Sequence, residues 1–399
     1  MTERISVNPD MSFVRSLLGA GASELKYCYQ CSTCTVVCPI TPDGSPFPRK
    51  EMVQAQFGLK EQLVGSLDAW LCIHCNDCST YCPRGAKPGD LMNTIRAMSI
   101  EHFAKPSFMA KWAATPSKIW LLFLIPILII GAVIFGLHAS TGWSFMQGEI
   151  VYSKMVPVPV VDMIFIPAMG FAGLTLLLGL MGFLKSMRAQ YPRGPEGVSI
   201  VSAVMGAMVD IFSHRRFKDC GTNQARTGAH LMAMYGFLGL MLTTTLVGVM
   251  YYMKQFGMDV QVTPYDFFHP IKLIGNISGT MAFLACVLIV TRRMSRPEAG
   301  KATTFDWTFI WVLFFTIVTG FLAQVFRVFE LAATAYITYY VHLVLVFFLL
   351  AFAAYTKMGH VFYRTVAMVY ARWSGRSFIQ PILGGVPASG AAAEVKEAS

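Results

Sequence analysis

The sequence predicts an all-α chain in two unlike parts, a small cysteine-rich helical head and a bundle of six membrane-crossing helices. Three observations carry this. Eight of the ten cysteines fall between Cys28 and Cys82. Six long stretches after residue 105 contain no Asp, Glu, Lys or Arg. Hydrophobic residues make up 55% of the 399 and charged residues only 14%, whereas a soluble domain carries about a quarter charged. Such a deficit is expected where a large surface faces lipid.

The head spans residues 1–105. Residues 1–27 hold no apolar core of the kind a cleavable signal needs, so the thiols are expected to stay in the reducing cytoplasm. Clustered thiols there bind metal more readily than they pair as disulfides. Between the two cysteine groups, the run from Ser45 to Val53 and then Phe57, Leu59, Leu63, Val64 and Leu67 reads as two short helices. Proline marks the start and apolar residues follow at three-to-four spacing; Gly58 and Gly65 are the breaks.

The cysteines form two runs of one pattern, Cys28-x2-Cys31-x2-Cys34-x3-Cys38-Pro39 and Cys72-x2-Cys75-x2-Cys78-x3-Cys82-Pro83. Three thiolates at this pitch wrap three corners of a cuboidal [4Fe–4S] cluster, and the fourth reaches across to a second cluster. The expected ligand sets are Cys28, Cys31, Cys34 and Cys82 for one cluster and Cys72, Cys75, Cys78 and Cys38 for the other. Paired zinc sites or disulfides are the alternatives, but zinc uses two separated pairs and has no use for the x3-Cys-Pro ending. The head is thus expected to be an α-helical ferredoxin-like domain with two [4Fe–4S] clusters. His74, inside the second run, reads as a solvent-facing loop residue. Cys220 and Cys286 read as ordinary thiols, and His102 and His214 as surface residues.

Residues 106–378 carry the apolar segments, roughly Ile119–Leu137, Met163–Leu184, His230–Met253, Leu273–Val290, Trp307–Phe326 and Leu331–Thr356. Each is close to the ~20 residues that cross a bilayer. The loop after the second segment carries Lys185, Arg188, Arg193, Arg215, Arg216, Lys218 and Arg226, and the loop after the fourth carries Arg292, Arg293, Arg296 and Lys301. The opposite loops hold few cations, which places the rich loops and both termini in the cytoplasm, with the chain in the cytoplasmic (inner) membrane. The net charge of +10 is therefore topology and not a nucleic-acid footprint. Residues 199–218 are amphipathic, with Val201, Val204, Met205, Met208, Val209 and Phe212 on one face, and too short to span; they are expected in the cytoplasmic interface. The small-residue tail 379–399 is expected to be disordered.

Ionisable residues within spans are costly and usually functional. His342 lies in the sixth segment and His360 eighteen residues later. On one continuous helix that is about 27 Å, or about five turns, so both imidazoles face one way. One helix then serves two b-type haems, His230 pairing with His360 near the cytoplasm and His269 with His342 further out. His138 is a rival outer ligand, and Arg226 is placed to meet the propionates of the inner haem. Lys272 is the candidate for a quinone carbonyl contact.

The head, with its two cysteine runs, resembles the C subunits of heterodisulfide reductases. The membrane part resembles the E subunits of those enzymes and, more distantly, the gamma subunits of respiratory nitrate reductases. The fusion of the two is similar to the C subunits of quinone-interacting membrane-bound oxidoreductases, and the stretches Cys28-Tyr-Gln-Cys-Ser-Thr-Cys, Pro48-Arg-Lys-Glu-Met-Val and Cys82-Pro-Arg-Gly-Ala-Lys-Pro carry that closer match. That resemblance implies a six-helix cytochrome b anchor and menaquinone as the membrane substrate. It also implies two soluble flavin and iron–sulfur partner subunits, and adenylylsulfate reductase as the acceptor in dissimilatory sulfate reduction. The gamma subunits place two haem-binding histidines on a late helix, which His342 and His360 match, and two on an early one, which only His230 matches. Two other readings stay open: a heterodisulfide-reductase-like complex with another soluble partner, and a haem-free transporter or sensor gated by the cluster pair.

Overall fold

The structure, a computed structural model, describes residues 8–42, 45–140, 142–219, 226–296 and 300–376; Cys220 and the tail from 379 onward lie outside them. Among the described residues every regular element is helical. The head opens with α1 (Met11–Ala20), capped by Asp10, whose carboxylate accepts the Ser12 and Phe13 N–H groups at 2.9 Å. The capping oxygen satisfies donors that have no partner inside the helix. The first cysteine run carries α2 (Thr33–Val36), and the second carries α6 (Asp77–Thr80). Between them lie α3 (Arg49–Gln56), α4 (Lys60–Val64) and α5 (Leu67–Leu71). The spacing predicts two helices here; Gly58 and Gly65 divide the stretch into three. Gly58 has φ +67°, and a Cβ there would strike the Asp10 backbone. The long α7 (Pro88–Phe103) runs through the head's core, and α8 (Ser107–Ala114) leads to the bundle.

The bundle follows as α9 (Trp120–His138), the short α10 (Tyr152–Met155) and α11 (Val158–Gln190). Then come α12 (Ile200–Ser213), α13 (Arg226–Gln255), α14 (Pro270–Ser295), α15 (Thr304–Val328), α16 (Ala332–Ala351) and α17 (His360–Trp373). Helices α9, α11, α13, α14, α15 and α16 are long and apolar enough to cross a membrane, so the chain is built as a multi-pass membrane protein. Small residues let α13 and α14 approach closely: a Cβ on Gly236 would lie 2.8 Å from Ala282 N and Ser278 O. Between apolar helices in lipid, such close contact supplies the dispersion energy that hydrophobic exclusion cannot.

The sixth span departs from expectation. Its helix stops at Ala351, two 3₁₀ turns follow (Ala353–Tyr355, Lys357–Gly359), and a separate helix starts at His360. His342 and His360 therefore do not share one continuous helix, and the five-turn alignment does not hold. The cause is tertiary. The Tyr355 hydroxyl donates to the Lys105 carbonyl at 2.5 Å, and Lys357 reaches Asp306 at 2.6 Å and Asn93 at 3.1 Å. Those contacts pull the chain out of the helical path, although its composition offers no proline to break it.

The α-helix of the amphipathic segment ends at Ser213, and a 3₁₀ turn follows over Arg215–Asp219. Its small face, Ala203 and Ala207, is buried with Asp210 against α17, and Asp210 holds Arg372, Arg216 and Arg215 at 2.7, 2.8 and 3.0 Å. Val201, Val204, Met205, Val209 and Phe212 stay exposed, the apolar row a lipid interface would cover. The head docks on the same end of the bundle. Trp70 of α5, 1% exposed, stacks on Tyr363 of α17 at 5.2 Å and meets Phe183 of α11 edge-on at 5.9 Å. Buried Asp68 receives Lys50 at 2.7 Å and also Arg376 beyond α17.

Gly236→Leu should force α13 and α14 apart at a cost of about 1–3 kcal/mol or more. Thermal unfolding in detergent would show this as a lower midpoint than the wild type. Gly248→Ala, where a Cβ meets open space, should leave the midpoint no lower than the wild type, since alanine is the better helix former.

Candidate metal centres

Each cysteine run folds the same way. The residue two after the first cysteine, Gln30 (φ 61°) or His74 (φ 56°), and the residue after the second, Ser32 (φ 69°) or Asn76 (φ 69°), are left-handed. Four non-glycine residues in that region cost roughly 1–2 kcal/mol each. The strain turns the backbone so that sulfurs at two- and three-residue spacing point inward together. Short helices, α2 and α6, then aim the third cysteine of each run.

The result is two rings of sulfur. Cys28, Cys31, Cys34 and Cys82 line one cavity, with Arg49 and Arg84 at its wall. Cys38, Cys72, Cys75 and Cys78 line the other, beside His74 and Met92. The fourth cysteine of each run thus stands in the ring built by the other run. Burial pushes the Cys34 thiol up to about 11, and its neighbours Cys28 and Cys82 push the same way. Burial likewise raises Cys38 and Cys78, and Cys72 pushes both the same way. Cys31 is the exposed corner, and the Thr33 hydroxyl at 3.4 Å holds its thiol below the usual range. The sulfurs also accept hydrogen bonds: Gln30 Nε2 to Cys28 at 3.4 Å, His74 N to Cys72 at 3.3 Å and Ala86 N to Cys82 at 3.3 Å. Among the described residues no three His, Cys, Asp or Glu side chains converge as they would on a single metal ion. Sulfurs spaced around a cavity fit a cuboidal cluster, whose ligands stand off around a body of iron and sulfide.

A second arrangement lies below the Cys72 ring. His230 on α13 is approached by His214, whose Nε2 lies 2.6 Å from His230 Nδ1, and by Phe217 at 5.4 Å between ring centroids. His360 is within electrostatic reach of His230. The His360 Nδ1 group donates to the Lys357 carbonyl, and burial holds the imidazole down to about 4. Both rings thus engage their Nδ1 atoms and keep Nε2 for another partner, the orientation a metal-binding histidine takes from its second neighbour. His214, expected at the surface, is instead 4% exposed, turned inward by a left-handed backbone (φ 50°). The signal available for it is its place at the end of an amphipathic helix, close before Phe217.

His342 sits mid-helix in α16. Its Nδ1 lies 3.0 Å from the Thr316 carbonyl and 3.1 Å from the Thr319 hydroxyl of α15, which again leaves Nε2 unengaged. Gly320 faces the ring, and a Cβ there would come within 3.2 Å of it. His269 caps α14 at the far end, stacked on Tyr265 at 4.1 Å, with Nδ1 buried and unpartnered. Among the described residues no hydrogen bond or ring contact joins His269 to His342. The rival, His138, has its Nε2 2.8 Å from the Met155 carbonyl. Lys272 lies in the first turn of α14, within electrostatic reach of Arg327.

Two further expectations change. His74 faces inward: its Nε2 is buried, and burial presses its imidazole well below the ordinary range. Arg226 donates to the Ile73 and His74 carbonyls, and Arg364 donates to the Cys72 carbonyl at 2.8 Å. Both arginines are committed to the backbone of the second cysteine loop.

The comparisons bear on the head. Residues 24–86 match the family described as the 4Fe-4S dicluster domain, a range that contains all eight clustered cysteines. A protein of Archaeoglobus profundus, described as like the C subunit of heterodisulfide reductase, is 34% identical over 85 residues, which are 21% of this chain and 45% of that protein. The C subunit of the H(2):CoB-CoM heterodisulfide,ferredoxin reductase of Methanothermobacter marburgensis is 34% identical over 104 residues, 26% of this chain and 54% of that protein. The iron-sulfur C subunit of the CoB–CoM heterodisulfide reductase of Methanopyrus kandleri is 38% identical over 88 residues, 22% and 44% of the two chains. The chain spans about half the length of the curated relatives it matches. No solved structure matches.

Cys38→Ser should strip one ring of a ligand and leave the other whole. Iron and acid-labile sulfide per chain should fall by about half, whereas Cys286→Ser, a buried thiol apart from both rings, should leave both values unchanged.

Proposed function

From an iron–sulfur head related to the C subunits of heterodisulfide reductases and carried on six long apolar helices, we propose a membrane electron-transfer subunit. It takes electrons from menaquinol and delivers them to soluble flavin and iron–sulfur subunits of its own complex. Adenylylsulfate reductase is the acceptor proposed beyond them. In this reading the head, the α12 interface helix and both termini lie in the cytoplasm.

The ligand sets are Cys28, Cys31, Cys34 and Cys82 for one [4Fe–4S] cluster and Cys38, Cys72, Cys75 and Cys78 for the other. His230 and His360 hold an inner b-type haem; His269 and His342 remain the pair for an outer one. Haem at these sites would supply one-electron transfer inside the membrane, as the clusters would in the head. The chain's own part is to fix imidazole orientation, through His214, the Lys357 carbonyl and Thr316, and to keep water out. Lys272 remains the candidate for a quinone carbonyl contact.

The observation that carries this reading is the junction between the two centres. Arg226, four residues before His230, and Arg364, four residues after His360, bond to the carbonyls of residues 72–74. A redox group between these histidines would lie directly beneath the second cysteine ring. The names of the relatives favour a second reading, in which the soluble partner is a heterodisulfide-reductase-like subunit. Subunits that co-purify with the chain distinguish the two.

A dithionite-reduced minus oxidised spectrum of the purified complex should show a sharp α-band. His360→Ala and His342→Ala should each lower pyridine haemochrome per chain by about half, with acid-labile sulfide retained. A spectrum without the α-band would leave a haem-free sensor or transporter as the better account.

A further inference from the structure

The two cysteine rings are covered unequally. Cys72, Cys75 and Cys78 are buried, and their loop is held from the membrane side by Arg226 and Arg364. The other ring opens outward. Cys31 is exposed, and Tyr29, Cys31 and Arg84 line one cavity. The Arg84 guanidinium lies over the Tyr29 ring, 4.3 Å from its centre, yet Tyr29 stays 69% exposed. Val36 follows Cys34 by two residues and Tyr81 precedes Cys82, so both stand beside ligands of this ring. They are 66% and 58% exposed. Their helices, α2 and α6, pack against each other.

Apolar side chains gathered in the open around one site mark a surface that another molecule covers. Tyrosine and arginine are the residues protein interfaces favour, and they carry much of the binding energy there. The same rim is cationic. Lys26, with its ammonium 5.2 Å from the centre of the Tyr27 ring, Arg84 and Lys87 are all exposed. Among the described residues none of the three forms an ion pair. Glu24, two residues before Lys26, is taken by Lys301 at 2.5 Å. A second copy of the chain brought face to face here would set like charges against each other. The complementary surface is acidic.

We propose that the rim formed by Tyr29, Val36, Tyr81 and Arg84 docks an acidic face of a soluble flavin or iron–sulfur subunit, so that electrons leave the chain from the Cys28–Cys31–Cys34–Cys82 ring. This rests on the electron-transfer reading above, and it orders the two rings. The buried ring, gripped by α13 and α17, is the entry from the membrane; the open ring is the exit. One electron passes at a time from the first of these to the second and on to an oxidised flavin or iron–sulfur centre of the partner, and no bond forms or breaks. Electron transfer falls off steeply with distance, so a partner seated on the exposed Cys31 corner gains what one seated over the buried ring could not. Opposite charge brings the two together in that orientation.

The test is binding of the soluble subunits that co-purify with the chain, stripped off and returned to the full-length protein in detergent. Reoxidation of its dithionite-reduced iron–sulfur absorbance by subsaturating subunits is followed on the same samples. Val36→Glu and Arg84→Glu should keep iron and acid-labile sulfide at wild-type values, weaken binding about tenfold and slow reoxidation in step. Arg84→Lys, which keeps the charge, should bind nearly as the wild type does. Lys111→Glu, a charge reversal on α8, should bind as the wild type does, and wild-type binding should weaken as salt is raised. Unchanged binding in both glutamate variants, or weaker binding with unchanged reoxidation, overturns the proposal while the electron-transfer reading stands. So does a wild-type dimer that these variants dissociate, which gives the surface to a second copy. Protection of Tyr29 from iodination in nanodiscs of anionic lipid, without the subunits, gives it to lipid and also overturns the proposal. Wild-type protein with which no flavin or iron–sulfur subunit co-purifies overturns the electron-transfer reading and this proposal with it. Should Arg84→Glu lose iron, Val36→Glu, at a residue that does not line the cavity, decides the matter.

Discussion

Two arginines that donate to the backbone carbonyls of Cys72, Ile73 and His74 join the halves of this protein. Arg226 comes from α13 and Arg364 from α17, so helices carrying His230 and His360 grip the loop that carries the second cysteine run. Hydrogen bonds from charged donors are worth roughly 1.5–3 kcal/mol each, and they are stronger out of water. Their larger effect is geometric. A loop held in left-handed conformations at His74 and Asn76 needs outside support to stay there, and these donors supply it from the side that faces the membrane helices.

The remainder of the junction serves the same placement. Trp70 wedges between Phe183 and Tyr363, a contact whose large aromatic area and ring geometry make it the apolar anchor of the head. Lys357 leaves the path of α16 to reach Asp306 and Asn93, tying the head's α7 to the start of α15. The broken sixth helix is the consequence. It costs intrahelical hydrogen bonds near Ala351 and gives His360 a position that a straight helix would not reach.

Much of this is legible in the amino-acid order. The cysteine spacing specifies both sulfur rings, including the exchange of Cys38 and Cys82, because a three-residue step into proline leaves the fourth thiol facing away from its own run. The six apolar stretches mark the spans to within a few residues, because a bilayer imposes a length. Gly58 and Gly65 read as breaks, and both end helices. His214 and His74 are not legible as inward-facing residues. Each is a polar residue whose burial depends on what packs over it from a distant part of the chain.

Sequence alone determined the two-part architecture, the sulfur rings and the number of apolar helices, since spacing and hydropathy are local properties that neighbours in the chain enforce. Tertiary structure decided where α16 stops, which nitrogen each histidine presents and which arginines reach the second cysteine loop. Those outcomes depend on acceptors contributed by residues tens to hundreds of positions away, such as Lys105 for Tyr355 and Asn93 for Lys357. No periodicity along the chain encodes such meetings.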